Sequence, residues 1–189
     1  MKTGIIGGSF NPVHYGHLEL SEKVLSHTDL DEIWLMPCYD HPFHKENAQF
    51  SHRYEMIEIA LEEIGNDRVK VSDFERRNNR KSTTVDTLKK LYKEYPSYKF
   101  NWIIGSDNLC ELDKWKNYQE LLEIANFIIV KRPGYEPKFV PQNSTYLEGE
   151  FRAKISSTEI RNKIKEGKSV EGLLPRGVIE YIEKNGLYR

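Results

Sequence analysis

The chain holds 189 residues, with 28 Lys plus Arg against 29 Asp plus Glu and a formal net charge of −1. That length fits one compact domain, residues 1–189, able to bury a real core. The balanced charge gives no global field for nucleic acid or an anionic membrane, so any polyanion must be met by a local cationic cluster. Cys38 and Cys110 lack CxxC spacing and are expected as reduced, buried small side chains. No signal-peptide core follows Met1-Lys2-Thr3, and no apolar run reaches membrane-spanning length. A cytoplasmic protein with no nucleic-acid or membrane partner is the expectation.

Strand-like and helix-like segments then alternate. Residues 4–6 are a short apolar strand running into a glycine pair, and residues 18–25 read as a helix. Residues 32–36 are a second strand, ended by Pro37. Helix 51–64 carries Tyr54, Ile57, Leu61 and Ile64 on one face, with Gly65 as its stop. Alternation around Val69 and Val71 makes residues 68–74 a third strand. Val85, Leu88, Leu91, Tyr92 and Tyr95 stripe a helix before Pro96. Residues 100–104 are a fourth strand, 118–125 a helix and 127–130 a fifth strand. Residues 156–165 and 175–184 are closing helices, followed by Gly167 and Gly186. Apolar strands between amphipathic helices predict an α/β fold, a doubly wound parallel sheet covered on both faces. Ligands of such sheets sit beyond the carboxyl ends of the strands. The turns after the first and fourth strands therefore face one crevice.

The first of these turns is Gly7-Gly8-Ser9-Phe10-Asn11-Pro12-Val13-His14-Tyr15-Gly16-His17. A strand, a glycine turn and a helix start carrying imidazoles suit a polyphosphate. Glycine lets the backbone approach, helix N-terminal N–H groups point at anions, and His14 and His17 add donors that respond near neutral pH. The spacing is neither the dinucleotide Gly-x-Gly-x-x-Gly nor a P-loop. Near the other end stands Ile155-Ser156-Ser157-Thr158-Glu159-Ile160-Arg161. Ser156 is expected as an N-cap and Glu159 as the other half of a capping box. Ser157 and Thr158 offer hydroxyls at a positive helix end, with Arg161 one turn on. An ordinary cap is the plain alternative. In Gly105-Ser106-Asp107 the carboxylate can accept from ribose hydroxyls or from its own turn. No Ser-His-Asp or Cys-His arrangement is evident. His14 and His17, without a nearby carboxylate or cysteine, do not make a metal site.

The two end segments together resemble the nucleotidyltransferase superfamily, in its forms Gly-Gly-Ser/Thr-Phe-Asp/Asn-Pro-x-His-x-Gly-His and Ile-Ser-x-Thr-x-Ile-Arg. Pro42-Phe43-His44-Lys45, the run Ser82-Thr83-Thr84-Val85-Asp86-Thr87-Leu88, Trp115, Lys131-Arg132-Pro133-Gly134 and the closing Gly186-Leu187-Tyr188 narrow it. They resemble the bacterial nicotinate-nucleotide adenylyltransferases. Two positions depart from that pattern: Phe43 replaces a second proline, and Thr83 replaces a tyrosine. The resemblance implies a Rossmann-like nucleotidyltransferase fold with C-terminal helices. It implies adenylyl transfer from ATP, carried with Mg²⁺, to nicotinate mononucleotide. His14 and His17 would be catalytic. Gly8, Ser9, Phe10, Ser157, Thr158 and Arg161 would bind the ATP phosphates. Gly105, Asp107 and Arg132 would meet ribose and adenine, and Lys45, Thr84 and Trp115 the pyridine mononucleotide. Alternatives are the same chemistry on nicotinamide mononucleotide or phosphopantetheine, or a non-catalytic nucleotide sensor. A homo-oligomer is left open.

Overall fold

A computed structural model describes residues 1–39, 48–78, 82–148 and 155–189. β1 (Lys2–Gly8) leads to α1 (Tyr15–His27), β2 (Glu32–Pro37), α2 (Phe50–Ile64) and β3 (Val69–Val71). There follow α3 (Phe74–Arg77), α4 (Thr84–Glu94), β4 (Lys99–Gly105), α5 (Ser106–Leu109) and a 3₁₀ turn at Leu112–Lys114. α6 (Tyr118–Ile124), β5 (Asn126–Val130), β6 (Ser144–Leu147), α7 (Ser157–Lys165) and α8 (Arg176–Lys184) complete the order. The strands form one sheet, β3-β2-β1-β4-β5-β6, parallel throughout.

Consecutive strand residues point to opposite faces, and here both faces are dry. Ile6, Ile103 and Ile128 pack with Leu18, Ile57, Ile160 and Val178. Ile5, Ile104 and Ile129 pack with Leu88, Leu91 and Leu121 on the other side. Helices α1, α2, α7 and α8 therefore cover one face, and α4 and α6 the other. The sheet is doubly wound, as the alternation predicts. Chain order reverses between β1 and β4, which makes their carboxyl ends the switch point where such sheets open a crevice.

Local differences from the sequence expectations have physical causes. α1 begins at Tyr15, three residues early, because His14 already stands as its N-cap in extended backbone. β3 is short, and Phe74 opens α3 instead of ending the strand. β6 was not among the expected strands. It is an edge strand in which only Leu147 of four residues is buried, so it lacks an apolar run. Both cysteines are free, but Cys110 is exposed and Cys38 half-buried, because each lies in a connection outside the two core faces. Gly65 stops α2 as expected, with φ at 63° and its N–H on the Leu61 carbonyl.

Candidate active site

The loop leaving β1 has its carbonyls tied to remote segments. The Gly8 carbonyl accepts from Cys38 N–H (2.9 Å), and that of Ser9 from Arg53 Nη1 (2.7 Å). The Asn11 carbonyl accepts from Arg161 Nη1 (2.8 Å), and that of Pro12 from Ser157 Oγ (3.0 Å). In a trans peptide the C=O and the next N–H point opposite ways. The amides of Ser9, Phe10 and Val13 are thereby turned away from those partners, and none donates to an acceptor among the described residues. Phe10 itself sits at φ 46°, a strained region for an aromatic residue, with its ring buried against His17 (centroids 4.8 Å apart).

His14 and His17 stack with ring centroids 3.7 Å apart. The His14 amide donates to His17 Nδ1 at 3.2 Å. A neutral His17 must then carry its proton on Nε2, which leaves that N–H as a donor. Burial, joined by the Arg132 charge, lowers the His14 pKa to about 4. His17 is also held well below its ordinary value, through burial first, then the charges of His14 and Arg132. The pair is neutral at pH 7 and faces guanidinium rather than carboxylate. Negative charge would be favoured in such a place.

Two other segments meet this loop. Ser156 caps α7 by accepting from Glu159 N–H (3.1 Å), half of the expected capping box. The cap aims Arg161 back over the first turn, where its Nη2 donates to Thr158 Oγ1 (3.2 Å) while Nη1 holds Asn11. After β4, Gly105 caps the start of α5 in a space that the side chains of Asp107 and Arg132 fill. A Cβ there would lie 2.1 Å from Asp107 Oδ1 and 2.6 Å from Arg132 Nε. Asp107 and Arg132 form an ion pair at 3.1 Å over that glycine. Fully buried Ser106 pins the strand ends by accepting from Arg132 N–H at 2.9 Å. His14, His17, Arg161, Asp107 and Arg132 thus gather at the β1–β4 switch point from four separate stretches of chain.

A family profile described as Cytidylyltransferase-like matches residues 5–163. A "Probable nicotinate-nucleotide adenylyltransferase" of Methylacidiphilum infernorum is 39% identical over 99% of this chain and 92% of its own length. One from Bacillus cytotoxicus is 40% identical, over 99% and 98%. The solved structure of Plasmodium falciparum nicotinic acid mononucleotide adenylyltransferase complexed with NaAD has a TM-score of 0.86 at 25% identity, covering 99% of this chain and 97% of that one. The chain belongs to the nicotinate-nucleotide adenylyltransferase family.

The remaining positions that resemble this adenylyltransferase family lie toward β2, α4 and α6. Lys45, with Pro42, Phe43 and His44, falls outside the described residues. Thr84 is the first residue of α4. Thr83, where the family pattern has tyrosine, is that helix's N-cap: its hydroxyl pairs with Asp86 Oδ2 at 2.8 Å and accepts from Asp86 N–H at 3.4 Å. Those bonds to Thr83 keep the Asp86 carboxyl below its usual range, and the nearby Lys116 adds to this. Trp115 precedes Lys116 and packs half-buried on the core under α4. A Lys89–Glu120 ion pair at 2.5 Å ties α4 to α6. Thr84 and Trp115 therefore sit on adjoining elements. In the basic stretch after β3, Arg77 is engaged by Asp73, Glu94 and Tyr95 and so braces α3 against α4.

Sequence reasoning missed Arg53. This α2 guanidinium is 2 % exposed. Besides Ser9, it donates to the carbonyls of Cys38 (2.7 Å) and Ala48 (3.0 Å). It joins the loops after β1 and β2. A signal was present: Arg53 falls in register with buried Met56, Ile57 and Ala60, so the apolar stripe of α2 begins with an arginine.

Proposed function

We propose that this protein transfers the adenylyl group of ATP to nicotinate mononucleotide, giving deamido-NAD and pyrophosphate in NAD biosynthesis. The observation that carries the reading is Arg161 Nη1 on the Asn11 carbonyl, because it joins the two phosphate-handling motifs at one loop beside His14 and His17. The mononucleotide phosphate oxygen attacks the α-phosphorus, a P–O bond forms, and the bond to the β-phosphate oxygen breaks in line. The attacking oxygen is already anionic, so no general base is required. Catalysis then consists of holding two anions together and stabilising charge on the equatorial oxygens.

The residue roles are those the family resemblance implies, and the geometry around His14, His17 and Arg161 supports them. The amides of Ser9 and Phe10, with the backbone of Gly8, would cradle phosphate. His17 Nε2–H would donate to developing charge at the α-phosphate, with His14 stacked behind it. Ser157, Thr158 and Arg161 would receive the leaving pyrophosphate, Gly105, Asp107 and Arg132 the ribose and adenine, and Thr84 and Trp115 the pyridine ring, with Lys45 on its phosphate. A divalent metal fits the reaction of this family, and we assign Mg²⁺ carried by ATP. Among the described residues no three His, Cys, Asp or Glu side chains cluster to hold a metal. The imidazole and guanidinium set fits an ion bound by the triphosphate and water. There it would neutralise charge on the leaving pyrophosphate. No helix among the described residues is long and apolar enough to cross a membrane, in keeping with a cytoplasmic site of action.

The test is a panel of acceptors with ATP and Mg²⁺: nicotinate mononucleotide, nicotinamide mononucleotide and phosphopantetheine, scored for pyrophosphate and adenylylated product. Turnover with the first is expected to exceed the others. Preference for another acceptor would overturn the substrate assignment, and ATP binding with no turnover on any would leave a sensor.

A further inference from the structure

We infer that the Tyr188 hydroxyl is a positioning group for the loop that carries His14 and His17, acting through the side chain of Asn11. This rests on the adenylyl-transfer reading above. Tyr188 lies beyond α8, 177 residues from Asn11 in sequence, yet its O–H donates to Asn11 Oδ1 at 2.7 Å. The Ala48 amide donates to the same oxygen at 3.1 Å. Arg161 holds the Asn11 backbone carbonyl. One residue of the loop, three positions before His14, is therefore gripped at both its oxygens by three distant segments.

The chain goes to some length to bring the phenol there. After α8 the Gly186 and Leu187 amides bond back to Glu183 and Ile182, which turns the chain toward the sheet. Tyr188 follows at φ 63°, a region that disfavours an aromatic residue. Such backbone persists where its surroundings impose it, and it concentrates at functional sites. The phenol is half-buried; burial pushes its titration up, so it stays a donor at working pH. Leu187 and Tyr188 also pack against the core face that holds Phe10 and Val13. Apolar packing would seat the ring without its hydroxyl, so the O–H to Asn11 is the part that speaks to the loop. In-line transfer depends on sub-ångström placement of donors, whereas ATP binding is spread over many groups. Losing the hydroxyl should therefore reduce turnover more than binding.

Tyr188→Phe keeps the ring and deletes the donor. With ATP and nicotinate mononucleotide, kcat is expected to fall about tenfold, with both KM values within about twofold and the melting temperature within about 2 °C of the unsubstituted chain. Adding Tyr188→Phe to Asn11→Ala should cost no further turnover, since Asn11→Ala already removes the bond that Tyr188→Phe deletes. The imidazole ¹⁵N resonances of His14 and His17 should shift in Tyr188→Phe, a readout that needs no turnover. Unchanged kcat with unmoved resonances overturns the inference, as does a loss that adds in full to that of Asn11→Ala. A Tyr188→Phe chain that does not fold overturns it too, in favour of a structural role. If the unsubstituted chain makes no deamido-NAD, the functional reading has failed, and the resonances alone decide for or against Tyr188.

Discussion

Two stacked imidazoles held neutral by burial and by a guanidinium make a place where a phosphate is worth more than water. The His14 amide on His17 Nδ1 sets the tautomer, so Nε2–H is ready without reorganisation when charge develops. His17→Ala is expected to lower kcat by about 10² or more, the usual loss for one such donor, with a smaller change in KM. Steady-state turnover near that of the unsubstituted chain would remove His17 from the chemistry. Binding should also move protons. Free His14 titrates near 4, because burial and then Arg132 oppose its charge. A triphosphate beside the pair reverses the sign of the local field and raises both values. At about pH 6, ATP binding should therefore take up protons, and affinity should rise as pH falls toward that point. Calorimetry in buffers of different ionisation heat measures the uptake directly; zero uptake contradicts the assignment of phosphate to these histidines.

At the scale of elements, α2 does more than cover the sheet. Its Arg53 binds the carbonyls of Ser9, Cys38 and Ala48, with no carboxylate in ion-pair contact among the described residues, so the helix locks two loops to each other. Arg53→Met would leave these buried acceptors unpaired. A loss on the order of 3–5 kcal/mol in urea unfolding is expected, the range for breaking a buried charged network. A change below about 1 kcal/mol would mean that water replaces the guanidinium easily. The glycine turn, the five apolar strands and the amphipathic helices were legible in the sequence, because burial on two faces or one stripe leaves a period. So was the nucleotide chemistry, since the His14–His17 and Ser156–Arg161 strings each match a family pattern. What stayed hidden was pairing across long separation. Edge strand β6 has no apolar run to show, Arg53 looks like any helix arginine until its register with Met56 is noticed, and nothing local ties Tyr188 to Asn11. Thr83 was read as a departure from the family pattern, but its local role is to cap α4.

For the molecule as a whole, the fold brings its ionisable groups into places where folding depends on pH. The β1–β4 switch point sets a buried and a half-buried imidazole under the Arg132 charge, and that guanidinium is itself paired with Asp107. In the unfolded chain each histidine titrates near 6.5, whereas the folded chain keeps His14 neutral to about 4 and holds His17 well below 6.5 as well. The unfolded state therefore binds protons first. Stability is fully present above about pH 6.5 and falls as pH drops toward 4. By pH 5 the loss is roughly 2 kcal/mol for His14 alone, at 1.36 kcal/mol per pH unit below 6.5. Half-buried Glu75 works in the opposite sense. Burial raises its carboxyl above the usual range, so its folded form binds a proton more readily and offsets part of the histidine loss as pH falls. Urea unfolding at pH 7 and pH 5 should show the chain less stable at the lower pH, and the double variant His14→Gln, His17→Gln should flatten that slope. Equal slopes in both chains would mean that the pair is as readily protonated folded as unfolded, and the neutral, anion-ready site would not exist.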